Sequence, residues 1–272
     1  MKHKQITDKI GFEQLNESIE DDLIRLVTRG MARKNGGSLD DVESYVLPLM
    51  LTRWNCFLLA ETGLAKYYKE KVYLTLATLL HKYGFSDKHI TEKALEAIDV
   101  LNDNVVLSDD FFRKSPKIKE FLKTKPTALK RKPSRQKNTT FFRANDLFSI
   151  NIDGTYYIAF IHKLTGINES PVIEFYDETF NRPPKLEDIK TKKARGQQYN
   201  DGMVHASKFA IYGMKYQPDL ANQIHLLSAS ENSVMAPDSS HLEESVGVYT
   251  VSNLFTIQDT IRKMFSEQRR QS

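Results

Sequence analysis

Three carboxylates are the residues best placed to act together in acid–base chemistry. Asp146, Glu174 and Asp177 fall in stretches whose apolar residues alternate as they do in strands. Alternate positions on neighbouring strands can bring such side chains onto one face of a sheet. They could share a proton or a metal ion only if they lay within a few ångström of one another. The competing interpretation is three ordinary exposed strand residues, and the sequence leaves both open.

The motifs of other catalytic classes do not occur in the sequence. It contains no G-x-G-x-x-G or G-x-x-x-x-G-K-[ST] phosphate-binding loop and no G-x-S-x-G nucleophile elbow. Cys56, the single cysteine, lies in the apolar helical run 54–60, which favours a buried and unreactive thiol. No metal-binding spacing joins the four histidines of the second half, which are His162, His205, His225 and His241. We therefore predict no catalytic residues, no metal and no cofactor.

The charge of the chain is concentrated in one segment. The net charge is +4 over 272 residues, yet residues 113–143 hold twelve Lys or Arg and one acid, a net charge of +11. Both flanks are mildly acidic, at −4 and −3. The basic segment could be a solvated linker, contact an acidic protein, or neutralise nucleic-acid phosphates. Its central cations are Lys130, Arg131, Lys132, Arg135 and Lys137.

The elements that must position these groups change type along the chain. Apolar residues three and four apart in the first 112 residues predict five or six helices. Gly84 has the position of a residue just past a helix, and Ser86 and Ser108 are candidate N-caps. Ser115 followed by Pro116 repeats the signal for a helix start.

The second half has the two-residue alternation and the turn residues of strands. Segments 146–152 and 155–162 flank Asp153-Gly154, which predicts a β-hairpin. Further strands are predicted at 171–176, 208–214, 223–228 and 246–251, and a helix at 253–267. The predicted fold class is α+β, an N-terminal α-helical array followed by a small bent antiparallel β-sheet or barrel with a C-terminal helix.

These patterns divide the chain into a helical domain (1–123), a basic linker (124–140) and a β-rich domain (141–272). The linker contains Pro126 and Pro133 and few apolar side chains, so we expect it to be mobile. The longest apolar run, 46–60, is interrupted by polar residues and is too short to cross a bilayer. The N-terminus has no apolar segment typical of a secretory signal, so we expect a cytoplasmic protein with no membrane partner.

A resemblance covers about residues 142–228. Its residues are 145–150 (Asn-Asp-Leu-Phe-Ser-Ile), 153–160 with the Tyr156-Tyr157 pair, 172–177, and 211–214 with Pro218. This order and spacing resembles a family of bacterial immunity proteins from polymorphic toxin systems that have a small strand-rich domain. Asn145 stands where that family usually has glycine. The resemblance implies a protein that neutralises a cognate toxin by binding it, with no turnover of its own.

The predicted contact surface is a set of tyrosines, because tyrosine is favoured at interface centres. The candidates are Tyr156, Tyr157, Tyr176, Tyr199 and Tyr216. Tyr156 and Tyr157 could instead point to opposite faces of a strand, with one of them in the core. The sequence thus predicts a non-catalytic toxin-binding protein, contacted through an acidic patch on the toxin or through the acidic flanks of this chain. The alternative is a nucleic-acid-binding accessory protein that uses residues 113–143.

Overall fold

The structure, a computed structural model, describes residues 1–33, 39–60, 67–134, 139–229 and 235–266. The chain divides into two compact units, Met1–Gln136 and Lys137–Ser272. The first unit is helical, and the second contains a six-stranded sheet, a two-stranded sheet and a helix. This arrangement confirms the predicted α+β class. Within the described ranges, no helix combines the length and the apolar character needed to cross a bilayer.

Six helices form the N-terminal unit. They are α1 (His3–Ile10), α2 (Glu13–Arg33), α3 (Leu39–Leu58), α4 (Tyr68–Lys82), α5 (Lys88–Asp103) and α6 (Asp109–Lys123). Their apolar faces meet around Trp54, which is completely buried. The same core contains an ion pair, in which Asp22 accepts hydrogen bonds from Arg53 Nε at 2.7 Å and Trp54 Nε1 at 3.1 Å. Buried polar groups of this kind are retained because each has a partner.

Local signals at the helix ends are mostly where the sequence places them. Gly84 follows the last residues of α4 with φ of +89°, a conformation that glycine adopts at low cost. Ser108 caps α6 by accepting a hydrogen bond from Phe111 N at 3.3 Å. The cap of α5 is Asp87 and not Ser86, because the Asp87 carboxylate accepts from Ile90 N at 2.8 Å. Ser115 starts no helix and lies inside α6, where its hydroxyl bonds to the Phe111 carbonyl.

The second unit begins with the predicted hairpin. Its elements are β1 (Leu147–Ile152), β2 (Thr155–Thr165), β3 (Ser170–Phe180), a short 3₁₀ helix (Leu186–Asp188), β4 (Gln197–Gln198), β5 (Val204–His205), β6 (Phe209–Tyr212), β7 (Ile224–Ser228), β8 (Thr250–Asn253) and α7 (Thr256–Ser266). The turn residues Asp153 and Gly154 have φ of 52° and 82°, as a type I′ turn requires. The hairpin prediction is therefore confirmed.

The main sheet has the strand order β7-β1-β2-β3-β6-β8, and β4 pairs with β5 separately. All its neighbouring strands are antiparallel except β6 and β8, which are parallel. The expected wholly antiparallel sheet is thus wrong at one edge. The reason is that β7 occupies the opposite edge, and the chain then returns and enters β8 in the same direction as β6. That strand also begins at Thr250, four residues later than the predicted start.

The two faces of the main sheet are covered differently. One face packs against α7, with Ile257, Ile261 and Met264 meeting the rings of Phe175 and Phe209 in the main core. The other face carries a smaller apolar cluster around Leu147, Ile158, Phe160 and Tyr176. Both faces are therefore partly buried, and strand alternation alone does not tell which side chains reach solvent.

The predicted linker is only partly separate from the helical unit. The division between the units falls inside it, after Gln136. Its earlier part lies against the turn after α4, since a Cβ placed on Gly84 would be 3.0 Å from Ala128 Cα and 3.1 Å from the Thr127 carbonyl oxygen. Residues 135–138 lie outside the described residues. The expected mobility of the whole segment stays a prediction.

Candidate functional site

A cleft of about 550 Å³ opens at one end of the main sheet, between the β1–β2 turn, β3 and the end of α7. Its walls include Asp153, Tyr157, Asp177, Glu178, Arg262 and Phe265, and we call it the acidic cleft. The volume is in the range of small-ligand and side-chain pockets. The chemistry of the cleft depends on its charged groups and on how they are held.

Three carboxylates and one guanidinium line the acidic cleft, a net charge of −2. Asp153 accepts from Arg262 Nη2 at 2.8 Å, which joins the hairpin turn to α7. Glu178 accepts from the backbone N–H groups of Lys190 at 3.0 Å and Thr191 at 3.3 Å. These contacts fix the direction of each carboxylate. A fixed excess of negative charge attracts cationic groups.

Arg195 braces the wall behind Asp177. Its Nη1 donates to Asp177 Oδ1 at 3.1 Å, and its Nη2 donates to the Met264 carbonyl at the end of α7. The guanidinium carbon also lies 5.1 Å from the centre of the Phe265 ring, a cation–π distance. The residue is 8% exposed, so its charge is held inside the unit. Arg195 therefore links β3 to α7 and keeps the cleft open in one shape.

The floor of the acidic cleft is aromatic. The Tyr157 and Phe265 rings meet edge to face with centroids 4.9 Å apart, and Phe265 also contacts Phe175 of the main core. The floor is therefore part of a packed core and is rigid. An apolar floor with carboxylates above it suits a side chain that has an aliphatic stem and a cationic end.

The five predicted contact tyrosines do not form one surface. Tyr157 and Tyr176 are 8% and 3% exposed, so the expectation that they are exposed is wrong. Tyr157 packs under α7, and the Tyr176 hydroxyl donates to the Met235 carbonyl on the other face. Both faces of the sheet are covered at these positions, so the strand alternation exposes neither side chain.

The remaining three tyrosines are half-buried in separate places. Tyr156 lies beside the His225 ring, with centroids 6.0 Å apart. Tyr199 packs edge to face on His205, and Tyr216 stacks on Phe141. Of the five, only Tyr157 lines the acidic cleft.

The three carboxylates considered for acid–base chemistry have different surroundings. Asp146 is 2% exposed and accepts from Arg143 N at 2.7 Å, and Glu174 is 1% exposed and pairs with His162 Nε2 at 2.7 Å. Only Asp177 lines the acidic cleft. Across the described ranges, no three His, Cys, Asp or Glu side chains are grouped closely enough to hold a metal ion.

His205 is the histidine with the clearest structural role. Its Nε2 donates to Asp201 Oδ2 at 2.8 Å, and its Nδ1 donates to the Glu244 carbonyl at 2.7 Å. These two acceptors raise the pKa of His205, the backbone carbonyl most and the carboxylate next. With both ring nitrogens engaged, His205 fastens β5 to the chain at 243–244 and has no nitrogen left for catalysis.

The predicted basic residues lie in the helical unit as far as they are described. Lys130, Arg131 and Lys132 are exposed, and Arg135 and Lys137 lie outside the described residues. Arg131 and Lys132 line a second cleft together with Lys82 and Tyr83. Composition identified these cations, but it carried no sign of Lys82, which is distant in sequence.

Sequence reasoning missed Asp153, Glu178 and Arg262 as site residues. Asp153 was identified only as a turn residue, and Arg262 is 109 positions away from it. No local pattern signals such a pair, because folding alone brings the hairpin turn to the last helix. No family model, curated protein or solved structure matches the chain. The resemblance to immunity proteins therefore stays a prediction.

Proposed function

We propose that the protein is a non-catalytic immunity protein, which neutralises a toxin by seating a cationic segment of that toxin in the acidic cleft. The observation that carries the proposal is the fixed net charge of −2 above an aromatic floor. Lysine and arginine side chains match this arrangement, because their stems bury apolar area while their charged ends meet the carboxylates. As part of the proposal, the protein acts in the cytoplasm of the cell that it protects.

The overall charge of the unit supports a basic partner. Residues 144–272 hold 16 acidic and 13 basic residues, a net charge of −3, so the surroundings of the cleft do not cancel its field. Complementary charge of this kind speeds association and selects the partner more than it adds raw affinity. The resemblance supplies the class of partner, and the cleft supplies the chemistry of the contact.

The cleft is tested with the variant Asp153→Asn/Glu178→Gln. Asparagine tolerates the positive φ of 52° at position 153, and glutamine keeps an oxygen for the two backbone donors. The matched control is Glu243→Gln/Glu244→Gln, which removes two exposed charges elsewhere in the same unit. At about 0.2–1 kcal/mol for each surface charge, the first variant should bind a hexa-arginine peptide about 2- to 30-fold more weakly by calorimetry. Equal losses in both variants would contradict the cleft as the site.

The toxin function is tested separately by growth. The full chain and each variant are co-expressed with the toxins encoded beside its gene, and survival is scored. We expect the wild type and the control to rescue growth from one of these toxins and Asp153→Asn/Glu178→Gln to lose rescue. A wild type that rescues growth from none of them overturns the function. Rescue that survives in the cleft variant overturns the site but leaves the function standing.

A further inference from the structure

The second cleft lies in the helical unit and is basic. It has a volume of about 470 Å³ and is lined by Lys82, Tyr83, Leu129, Arg131, Lys132 and the 133–134 backbone segment. Its three charged lining residues are all cations, and no carboxylate lines it. We call it the basic cleft. It shares no residue with the acidic cleft, which belongs to the other unit.

One wall of the basic cleft is formed by residues 127–134, which we call the basic strap. The strap is close-packed against Gly84, where an added Cβ would be 3.0 Å from Ala128 Cα. Its apolar residues Ala128 and Leu129 are half-buried, whereas Lys130, Arg131 and Lys132 are exposed. The strap therefore turns its apolar side chains to the helices and presents three consecutive cations outward.

The positive charge of the basic cleft is only partly compensated. Lys82 pairs with Glu20, which also accepts a hydrogen bond from the Tyr83 hydroxyl at 2.8 Å. Burial, and then the Glu20 charge, raise the pKa of Tyr83, so the phenol stays protonated and remains a donor to that carboxylate. Within the described ranges, Arg131 and Lys132 form no ion pair. These two side chains are available to an external anion.

We propose that the basic cleft binds phosphate groups of a nucleic-acid backbone without reading the base sequence. A guanidinium and an ammonium group on one wall are the donors that proteins use for phosphate. Tyr83 is 6% exposed and its hydroxyl is occupied, so the cleft presents no ring for a base to stack on. A polymer fits better than one small anion, because Lys130 continues the row of cations and residues 113–143 carry a net charge of +11.

The proposal is tested by the anisotropy of a fluorescein-labelled 20-nucleotide single strand, titrated with the full chain between about 50 and 200 mM salt. The test variant is Arg131→Ser/Lys132→Ser. The matched control, Lys190→Ser/Lys192→Ser, removes the same charge from exposed sites in the other unit. Trp54 fluorescence checks that the helical unit remains folded, since this sole tryptophan lies in its core.

We expect the wild type to bind with log affinity falling linearly against log salt. Each lost phosphate contact on a single strand lowers the slope by about 0.7, so Arg131→Ser/Lys132→Ser should lower it by about 1.4. The control should keep the wild-type slope. The proposal is overturned by a wild type that does not bind at about 50 mM salt, or by a control that loses as much as the test variant. It is also overturned if inorganic pyrophosphate binds at the cleft while the oligonucleotide does not, because a small anion would then be the ligand.

Discussion

Replacing Arg195 with methionine should detach the last helix from the sheet and distort the acidic cleft. Methionine keeps much of the aliphatic packing of arginine but removes the guanidinium that bridges Asp177 and the Met264 carbonyl. It also removes the cation from beside the Phe265 ring. Because the residue is only 8% exposed, water cannot readily replace these contacts in the folded state.

The expected loss of stability follows from those contacts. Hydrogen bonds to charged groups contribute about 1.5–3 kcal/mol each, and a cation–π contact about 0.5–2 kcal/mol. The losses do not add fully, because the Asp177 side chain is 24% exposed and can be rehydrated once its partner is gone. We therefore expect Arg195→Met to lower the free energy of unfolding by about 2–4 kcal/mol. At a slope of about 2 kcal/mol per molar urea, the midpoint should fall by about 1–2 M.

The matched control is Arg182→Met, which makes the same substitution in the same unit. Arg182 pairs with Asp188 at 2.8 Å, but its side chain is 59% exposed, so the loss should be about 0.2–1 kcal/mol. Urea unfolding of the full chain is followed by circular dichroism, and hydrogen exchange is measured at α7. Arg195→Met should also raise the exchange rate of α7, whereas Arg182→Met should not. If the two variants lose equal stability, the bracing role of Arg195 is refuted.

Asp22→Asn should destabilise the helical unit by about 3–5 kcal/mol, because it removes the carboxylate that pairs with the buried Arg53; urea unfolding followed by tryptophan fluorescence measures this, and a loss under about 1 kcal/mol contradicts it. His205 has a raised pKa, so the stability that it adds over His205→Asn should be complete below about pH 6.5 and vanish as the pH rises through the folded-state pKa. Thermal melts across pH check this, and an advantage that grows with pH is the contrary result. Gly84→Ala should cost about 1–3 kcal/mol and free the basic strap, since φ is +89° and the backbone of Ala128 is close; trypsin should then cut the strap faster, and an unchanged rate contradicts the packing.

The parts of the fold that depend on near neighbours were predictable from the sequence. The β1–β2 hairpin follows from alternating side chains around Asp153-Gly154, because a two-residue turn with positive φ needs such residues. Gly84 and Ser108 mark helix ends for equally local reasons, namely a left-handed conformation and a side-chain acceptor for a free N–H group. The charge of the basic segment is likewise a property of composition.

Long-range packing decided what the local pattern could not. The direction of β8 depends on the path of the chain after β7 to the far edge of the sheet. Tyr157 and Tyr176 are buried because α7 covers one face of the sheet and a second apolar cluster occupies the other. Alternation separates the faces of a strand, but only the covering elements determine which face meets solvent.

The two clefts also exist only in the folded chain. Asp153 and Arg262 meet across 109 positions, and the basic strap reaches Gly84 more than forty positions after it. The sequence determined the types of these side chains, the hairpin turn and the cluster of positive charge. Which charges share a cleft was decided by tertiary structure, because Coulomb attraction and desolvation depend on distance in space and not on separation along the chain.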